Sequence, residues 1–388
     1  MSYNRHLDEK PIFSLDQFQL IQEEWLKVYE AASAKSPFLS FEFVNLWYSC
    51  FARPNQVRIY HVSDRGQTIG FLPLVLKREH GVKVLSSLTN EHCLHSGPLV
   101  RNGWESQFPK MILEALLRDR NSWDLLNYEF TYSFSDIPYV FPQMLLDNSG
   151  LRWEINCQPT YTVSLNKSFQ EYFNKDLSDK VRKNIKMYKN RLAKEESFRI
   201  YNYRGVEAVG SWDEFLRIED SGWKGEVGSS IRKASPNYRA FYEGLLNLLG
   251  NLNALSMFFL EVKGENIAGV FGYIDRDTYH YAKIGYDEQF SALSPSNLLM
   301  IHILEHLMTN YPGIKRFHMF PWDHGYKHRY ANEESVCIAT RIFNRTIFGQ
   351  GAYFSQLLKE RIKKIPGMKA PVRIYRRLLK LGKKDKEK

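Results

Sequence analysis

Lys263-Gly264-Glu265-Asn266-Ile267-Ala268-Gly269 stands between two apolar runs, FFLEV at 258–262 and VFGYI at 270–274. Glycine in the turn and strand-forming residues on both sides predict an antiparallel hairpin. The first half of the chain holds the same pattern: Arg65-Gly66-Gln67-Thr68-Ile69-Gly70 joins VRIYHVS (57–63) to FLPLVLK (71–77). Each hairpin precedes a run with helical apolar spacing, SQFPKMILEALLRD from Ser106 and SNLLMIHILEHLMTN from Ser296. Each of these precedes a short strand, WDLLNYEF from Trp123 and IKRFHMF from Ile314. From Gly66 to Trp104 is 38 residues and from Gly264 to Ser296 is 32, while Gly66 to Asp124 is 58 and Gly264 to Arg316 is 52, so both offsets differ by six. The sequence therefore predicts two copies of one hairpin, helix and strand unit, with a six-residue insertion before the first helix. Such units give an α/β class (α+β mixed sheet) with helices on the faces of the sheet.

Length fits this duplication. A chain of 388 residues is too long for one typical core, and two lobes with a tail are expected: 1–160, 161–350 and 351–388. Hydrophobic residues at 44% and aromatics at 14% can fill large cores, which excludes a disordered chain. No apolar run approaches the roughly 20 residues of a spanning helix. The opening MSYNRHLDEKPIF places charges where an export signal needs an apolar run, so a cytoplasmic location is expected. Cys50, Cys93, Cys157 and Cys337 are far apart and form no CxxC pair, so neither a disulfide framework nor a zinc site is expected.

The net charge of +10 is concentrated at one end. Residues 357–388 hold thirteen Lys/Arg and three Asp/Glu, which leaves the remaining chain neutral and argues against nucleic acid as a partner. Within the tail, Val372, Tyr375 and Leu379 form an apolar stripe among Arg373, Arg376, Arg377 and Lys380. This basic amphipathic tail reads either as an interfacial helix on an anionic membrane surface or as a solubilising end. A second basic helix is expected in KDLSDKVRKNIKMYKNRL (175–192), capped by Asp176 or Ser178 and turning Val181, Ile185, Tyr188 and Leu192 inward. Its Lys180, Arg182, Lys183 and Lys186 are either a solvated face or contacts for phosphates.

Motifs of other enzyme classes are missing: no HExxH, GxSxG, Walker loop or GxGxxG occurs. HCLH at 92–95 invites a metal reading, but no third spaced ligand lies nearby, so no metal is expected. His302 and His306 read as helix histidines.

Several segments in series resemble one family. LSDKVRKNIKMYKNRL (177–192), IEDSGWKGEVGSSI (218–231), FFLEVKGENIAGVFGY (258–273), YHYAKIGYDEQFSALSPSNLL (279–299) and FHMFPWDHGYKHRYA (317–331) are similar to the GNAT-superfamily domain of cellulose and exopolysaccharide biosynthesis (the CelD/BcsL type). FLSFEFVNLWYSCF (38–51) resembles the family's aromatic opening segment. That domain is related to the two-lobed Fem peptidyltransferases. The family pattern has Pro-Gly where this chain has Pro295-Ser296, and Trp where it has Tyr330.

The resemblance implies tandem GNAT-like lobes, the first a degenerate copy that shapes the acceptor cleft. It also implies an acyl-CoA donor, acetyl-CoA most simply, and an amine or hydroxyl acceptor on a sugar or lipid-linked glycan. Such an enzyme needs a phosphate cradle, a strand that polarises the thioester carbonyl and a proton acceptor. The cradle falls on Ser291 to Asn297, where a strand leads into a helix: Leu293, Ser294 as N-cap, Pro295 at the first helical position, then Ser296 and Asn297 as donors. The polarising strand falls on Ile284, Gly285 and Tyr286, with Gly285 allowing close approach of the cofactor. Asp323 or His324 could take a proton, Tyr326 could protonate the leaving thiolate, and Lys224 and Lys327 suit an anionic donor or acceptor. Two alternatives stay open: aminoacyl transfer from a charged tRNA to a peptidoglycan precursor, and a non-catalytic scaffold in polysaccharide assembly.

Overall fold

The computed structural model describes residues 10–33, 35–132, 151–222, 225, 227–321 and 325–364. In chain order the first lobe contributes α1 (Leu15–Leu20), α2 (Gln22–Glu30), α3 (Phe41–Phe51), β1 (Val57–Asp64), β2 (Gln67–Glu79), β3 (Val82–Ser86), β4 (Leu99–Val100), α4 (Phe108–Arg118) and β5 (Leu125–Tyr132). The second contributes β6 (Arg152–Ser164), α5 (Asp179–Leu192), β7 (Phe198–Arg204), α6 (Trp212–Ser221), α7 (Pro236–Asn251), β8 (Leu255–Val262), β9 (Glu265–Asp275), β10 (Thr278–Tyr286), α8 (Pro295–Asn310), β11 (Arg316–Pro321), β12 (Glu333–Phe343) and α9 (Ile347–Lys364).

Both hairpins form, with the same turn. Asp64 pairs with Gln67 and Val262 with Glu265. The two central residues of each turn have positive φ: 49° and 78° at Arg65 and Gly66, 53° and 80° at Lys263 and Gly264. This is the geometry that matches strand twist in a two-residue hairpin, and glycine takes the second position without steric cost. Topology repeats as well. In lobe 1, β3 runs parallel to β5 across α4; in lobe 2, β10 runs parallel to β11 across α8.

The expected insertion is larger than six residues. Residues 87–107 join β3 to α4, whereas 287–294 suffice between β10 and α8. Trp104 to Gln107 form turns that delay the first helix to Phe108. The shorter α4, 11 residues against 16 in α8, returns part of the offset before the next strand.

One sheet of 12 strands carries both lobes, in the order β1-β2-β3-β5-β12-β6-β11-β10-β9-β8-β7, with β4 paired to β2. The join is β12, which leaves lobe 2 and pairs antiparallel with β6 on one side and β5 on the other. Helix α9 crosses the expected boundary at 350/351, and the residues just before it are anchored to lobe 1. Asn344 donates to the carbonyls of Arg120 and Trp123, and Thr346 donates to Asp124. The tail from 365 onward lies outside the described residues. Among those residues, no helix is long and apolar enough to cross a membrane.

Three apolar clusters form. One belongs to lobe 1 around Leu72, Phe108, Ile112 and Trp123, and one to lobe 2 around Val181, Leu260, Leu299 and Phe317. The third spans both, uniting Trp25, Phe38 and Trp47 with Phe215, Tyr242, Phe271 and Phe320. Covered on both faces, strands such as β2 and β9 bury nearly continuous apolar runs.

Candidate functional site

The shared core opens into a cleft of about 700 Å³. Its position follows from the way the sheet parts. β10 and β11 pair only over Thr278–His280 and Arg316–His318, and the edge of β10 from Tyr281 to Tyr286 then faces the cleft. A bulge between Tyr281 and Lys283 in the pairing with β9 adds local twist. Past β10 the chain makes a short 3-10 turn, and Ser294 enters the left-handed region (φ 55°, ψ 54°) to start α8. A non-glycine residue there carries backbone strain, which the surrounding structure must hold.

Several expected residues meet in this cleft. Ile284, Gly285, Tyr286, Ser294, Pro295, Ser296, Asn297, Tyr326 and Lys327 all line it. Leu293 does not; it is buried in the lobe 2 core below the turn. Asp323, His324 and Lys224 lie outside the described residues. Pro295 holds the first helical position, and the Ser296 amide has no carbonyl four residues earlier in the helix. Asn297 is occupied: its N–H donates to the Ser294 carbonyl (3.1 Å), and its Oδ1 accepts from the Tyr330 hydroxyl (2.8 Å). A hydroxyl at 330 thus braces the helix start, which an indole could do only as an N–H donor. The basic helix α5 lies beside the same turn, with Arg191 donating to the Ala292 carbonyl at 2.8 Å. Ser178 caps that helix; Lys180, Lys183 and Lys186 are exposed, and Arg182 binds back to Asp179 and the carbonyls of Asn174 and Leu177.

Lys327 is 5% exposed, and its ammonium donates to the carbonyls of Phe320 (3.3 Å) and Pro321 (3.1 Å). Phe320 has φ 62° at an irregularity in the β11–β6 pairing, so the buried charge supports a strained segment of the cleft wall. Burial pushes the Tyr326 phenol up, which keeps it protonated near neutral pH.

The opposite wall comes from the long 87–107 connection of lobe 1. Glu91, His92, Cys93, Leu94 and His95 line the cleft with Phe38, facing Glu219, Tyr242, Phe271 and Tyr273 of lobe 2. His92 Nδ1 and the Tyr242 hydroxyl are 2.9 Å apart, a hydrogen bond between the lobes. Burial pushes the Cys93 thiol up to about 12, so it is no nucleophile. Glu219 is 2% exposed, and its Oε2 accepts from the Ile231 N–H at 2.9 Å. The sequence reading passed over this carboxylate, although a signal exists: it sits on the apolar face of α6 with Trp212, Phe215 and Ile218. A buried carboxylate in a cleft marks a functional candidate.

Below the cleft lies a group of buried histidines. His280 Nδ1 and His318 Nδ1 are 3.2 Å apart, and His318 Nε2 meets the Thr160 hydroxyl at 2.6 Å. Burial, reinforced by neighbouring imidazoles, holds both well below the usual histidine range, and burial beside Arg276 pushes His95 down to about 3. All three rings are neutral near pH 7.

Residues 179–328 match the family model of the acetyltransferase (GNAT) domain. No curated protein matches the sequence. A solved conserved protein of unknown function from Bacteroides thetaiotaomicron VPI-5482 is 12% identical, with 85% of this chain and 97% of that one covered at a TM-score of 0.52. A solved FemX is 10% identical, with 81% and 95% covered at a TM-score of 0.53. At such identities the likeness is one of fold. The family match lies wholly in lobe 2 and contains both the divergence of β10 from β11 and the start of α8. Residues 179–328 thus resemble an acetyltransferase (GNAT) domain, set in a mixed α/β sheet with tandem lobes.

Proposed function

We propose that this enzyme transfers an acyl group, acetyl most simply, from acyl-CoA to an amine or hydroxyl of a sugar or lipid-linked glycan precursor. One observation carries the reading: the opening between β10 and β11, the start of α8 and the 91–95 segment of lobe 1 all face one cleft. Bound acyl-CoA supplies an activated thioester carbonyl. The residues present fit it, because the strained turn at Ser294 leads into a helix start at which Ser296 lines the cleft. Helix dipole and amide together favour a diphosphate there. In this reading, backbone groups on the edge of β10 beyond His280 polarise the carbonyl. Tyr326 holds a proton at its Oη that a departing sulfur can accept.

On the acceptor side, the aromatic residues Phe38, Tyr242 and Tyr273 line the cleft with the acidic residues Glu91 and Glu219. Aromatic rings together with hydrogen-bond acceptors suit a sugar. This agrees with the resemblance to exopolysaccharide and cell-envelope enzymes. In this reading the basic tail holds the protein to an anionic inner membrane surface, close to a lipid-linked acceptor. The test is thermal unfolding with millimolar acetyl-CoA, where a ligand of the native state must raise the melting temperature. An unmoved transition overturns the donor assignment and leaves a scaffold.

A further inference from the structure

His95, Asp275 and His280 come from three separate segments: the 87–107 connection of lobe 1, the end of β9, and β10. One ring nitrogen from each histidine and one carboxylate oxygen all lie within 4.8 Å of one another. We propose that these three side chains form a zinc site that ties the two lobes together at the floor of the cleft. The proposal stands apart from the acyl-transfer reading.

His95 supplies the first argument. It is 8% exposed, and its buried Nε2 has no hydrogen-bond partner. A buried polar nitrogen left so needs an explanation, and a bound ion is one. The other two side chains have the supporting contacts that orient metal ligands. His280 Nδ1 is engaged with His318, which in turn meets Thr160, so Nε2 is the nitrogen left for coordination. Asp275 Oδ2 accepts from the Ser36 hydroxyl at 3.0 Å, so Oδ1 is the oxygen for a metal.

Donor chemistry selects the ion. Two imidazoles and one carboxylate suit zinc, whereas magnesium and calcium take oxygen ligands. Geometry is near what is required. Three atoms no more than 4.8 Å apart lie within about 2.8 Å of a common point, and a contraction of about 0.7 Å reaches zinc–ligand distances. Arg276 is the competing cation, with its Nε 3.7 Å from Asp275 Oδ1. Its side chain is partly exposed and can yield to solvent. His95 lines the cleft, which gives an entry path and a fourth position for water. HCLH lacked a third ligand in sequence because the other two lie some 180 residues downstream.

The experiment uses the untagged full-length protein, stripped of metal and titrated with zinc against a chromophoric chelator. One zinc per chain by mass spectrometry is expected, and cobalt should give the visible absorption of a four-coordinate site. His95→Ala and Asp275→Asn should each weaken zinc binding by about 100-fold or more, with near-ultraviolet circular dichroism unchanged. Failure of the wild type to take up stoichiometric zinc overturns the proposal, as does equal affinity in both variants. Should a variant misfold, the cobalt spectrum of the wild type decides: without four-coordinate bands the site is not as drawn.

Discussion

The backbone of Glu219 occupies the space where a side chain at Gly285 would begin. A Cβ on Gly285 would lie 2.7 Å from the Glu219 Cα and 2.9 Å from its nitrogen. The glycine therefore lets α6 rest directly on β10. It fixes how near the Glu219 carboxylate stands to the edge of β10.

Gly285→Ala must push a helix away, since the clashing atoms are backbone. Stability should fall by about 1–3 kcal/mol in urea titration. Acyl transfer should fall with it, because Glu219 moves relative to the strand. A loss below about 0.5 kcal/mol would show that α6 is free to shift.

Ser296→Asp separates helix stability from cofactor binding. A carboxylate in the first turn of α8 favours the helix by about 0.3–1 kcal/mol. The same charge opposes a diphosphate at the same amide. The melting temperature without ligand should hold or rise, while acyl-CoA affinity by calorimetry falls by about tenfold or more. A variant that binds acyl-CoA as the wild type does would move the carrier away from this helix.

Much of the frame was legible because local rules produced it. Arg65-Gly66 and Lys263-Gly264 announce their turns through a glycine that takes positive φ without steric cost, and Ser178 caps α5 as its position requires. The fusion of the lobes was not legible. β12 chooses β5 and β6 through long-range pairing, such as Arg341 opposite both Asn127 and Glu154. The same limit hid the role of His92 and His95. Nothing near them in sequence shows that Tyr242 and His280 will be their neighbours. Glu219 was readable in principle, as a carboxylate on an apolar helix face.

Lys327→Met tests the brace on the cleft wall. Methionine keeps the length but donates nothing, and the carbonyls of Phe320 and Pro321 lose a charged donor. Leaving buried acceptors unsatisfied costs about 1–3 kcal/mol, and Phe320 loses support for its left-handed backbone. The expected result is a protein of lower stability that still gains melting temperature with acetyl-CoA but transfers acyl groups poorly. Loss of the acetyl-CoA shift instead would place Lys327 on the carrier.

Gly244 tests the seam between the lobes. A Cβ there would lie 2.4 Å from Leu46 Cδ1 and 2.9 Å from Cδ2, in the contact of α7 with α3. Two effects of opposite sign act on Gly244→Ala. Within a helix, alanine gains about 1 kcal/mol over glycine, whereas overpacking costs about 1–3 kcal/mol. The clash should win in the wild type, giving a net loss. In a Leu46→Ala background the obstruction is gone, and the same substitution should then stabilise by about 0.5–1 kcal/mol. Urea titration of the four proteins in the cycle reads the coupling directly. If Gly244→Ala has the same effect in both backgrounds, the lobes do not touch through this pair, and the shared core contributes less to their union than the β12 join.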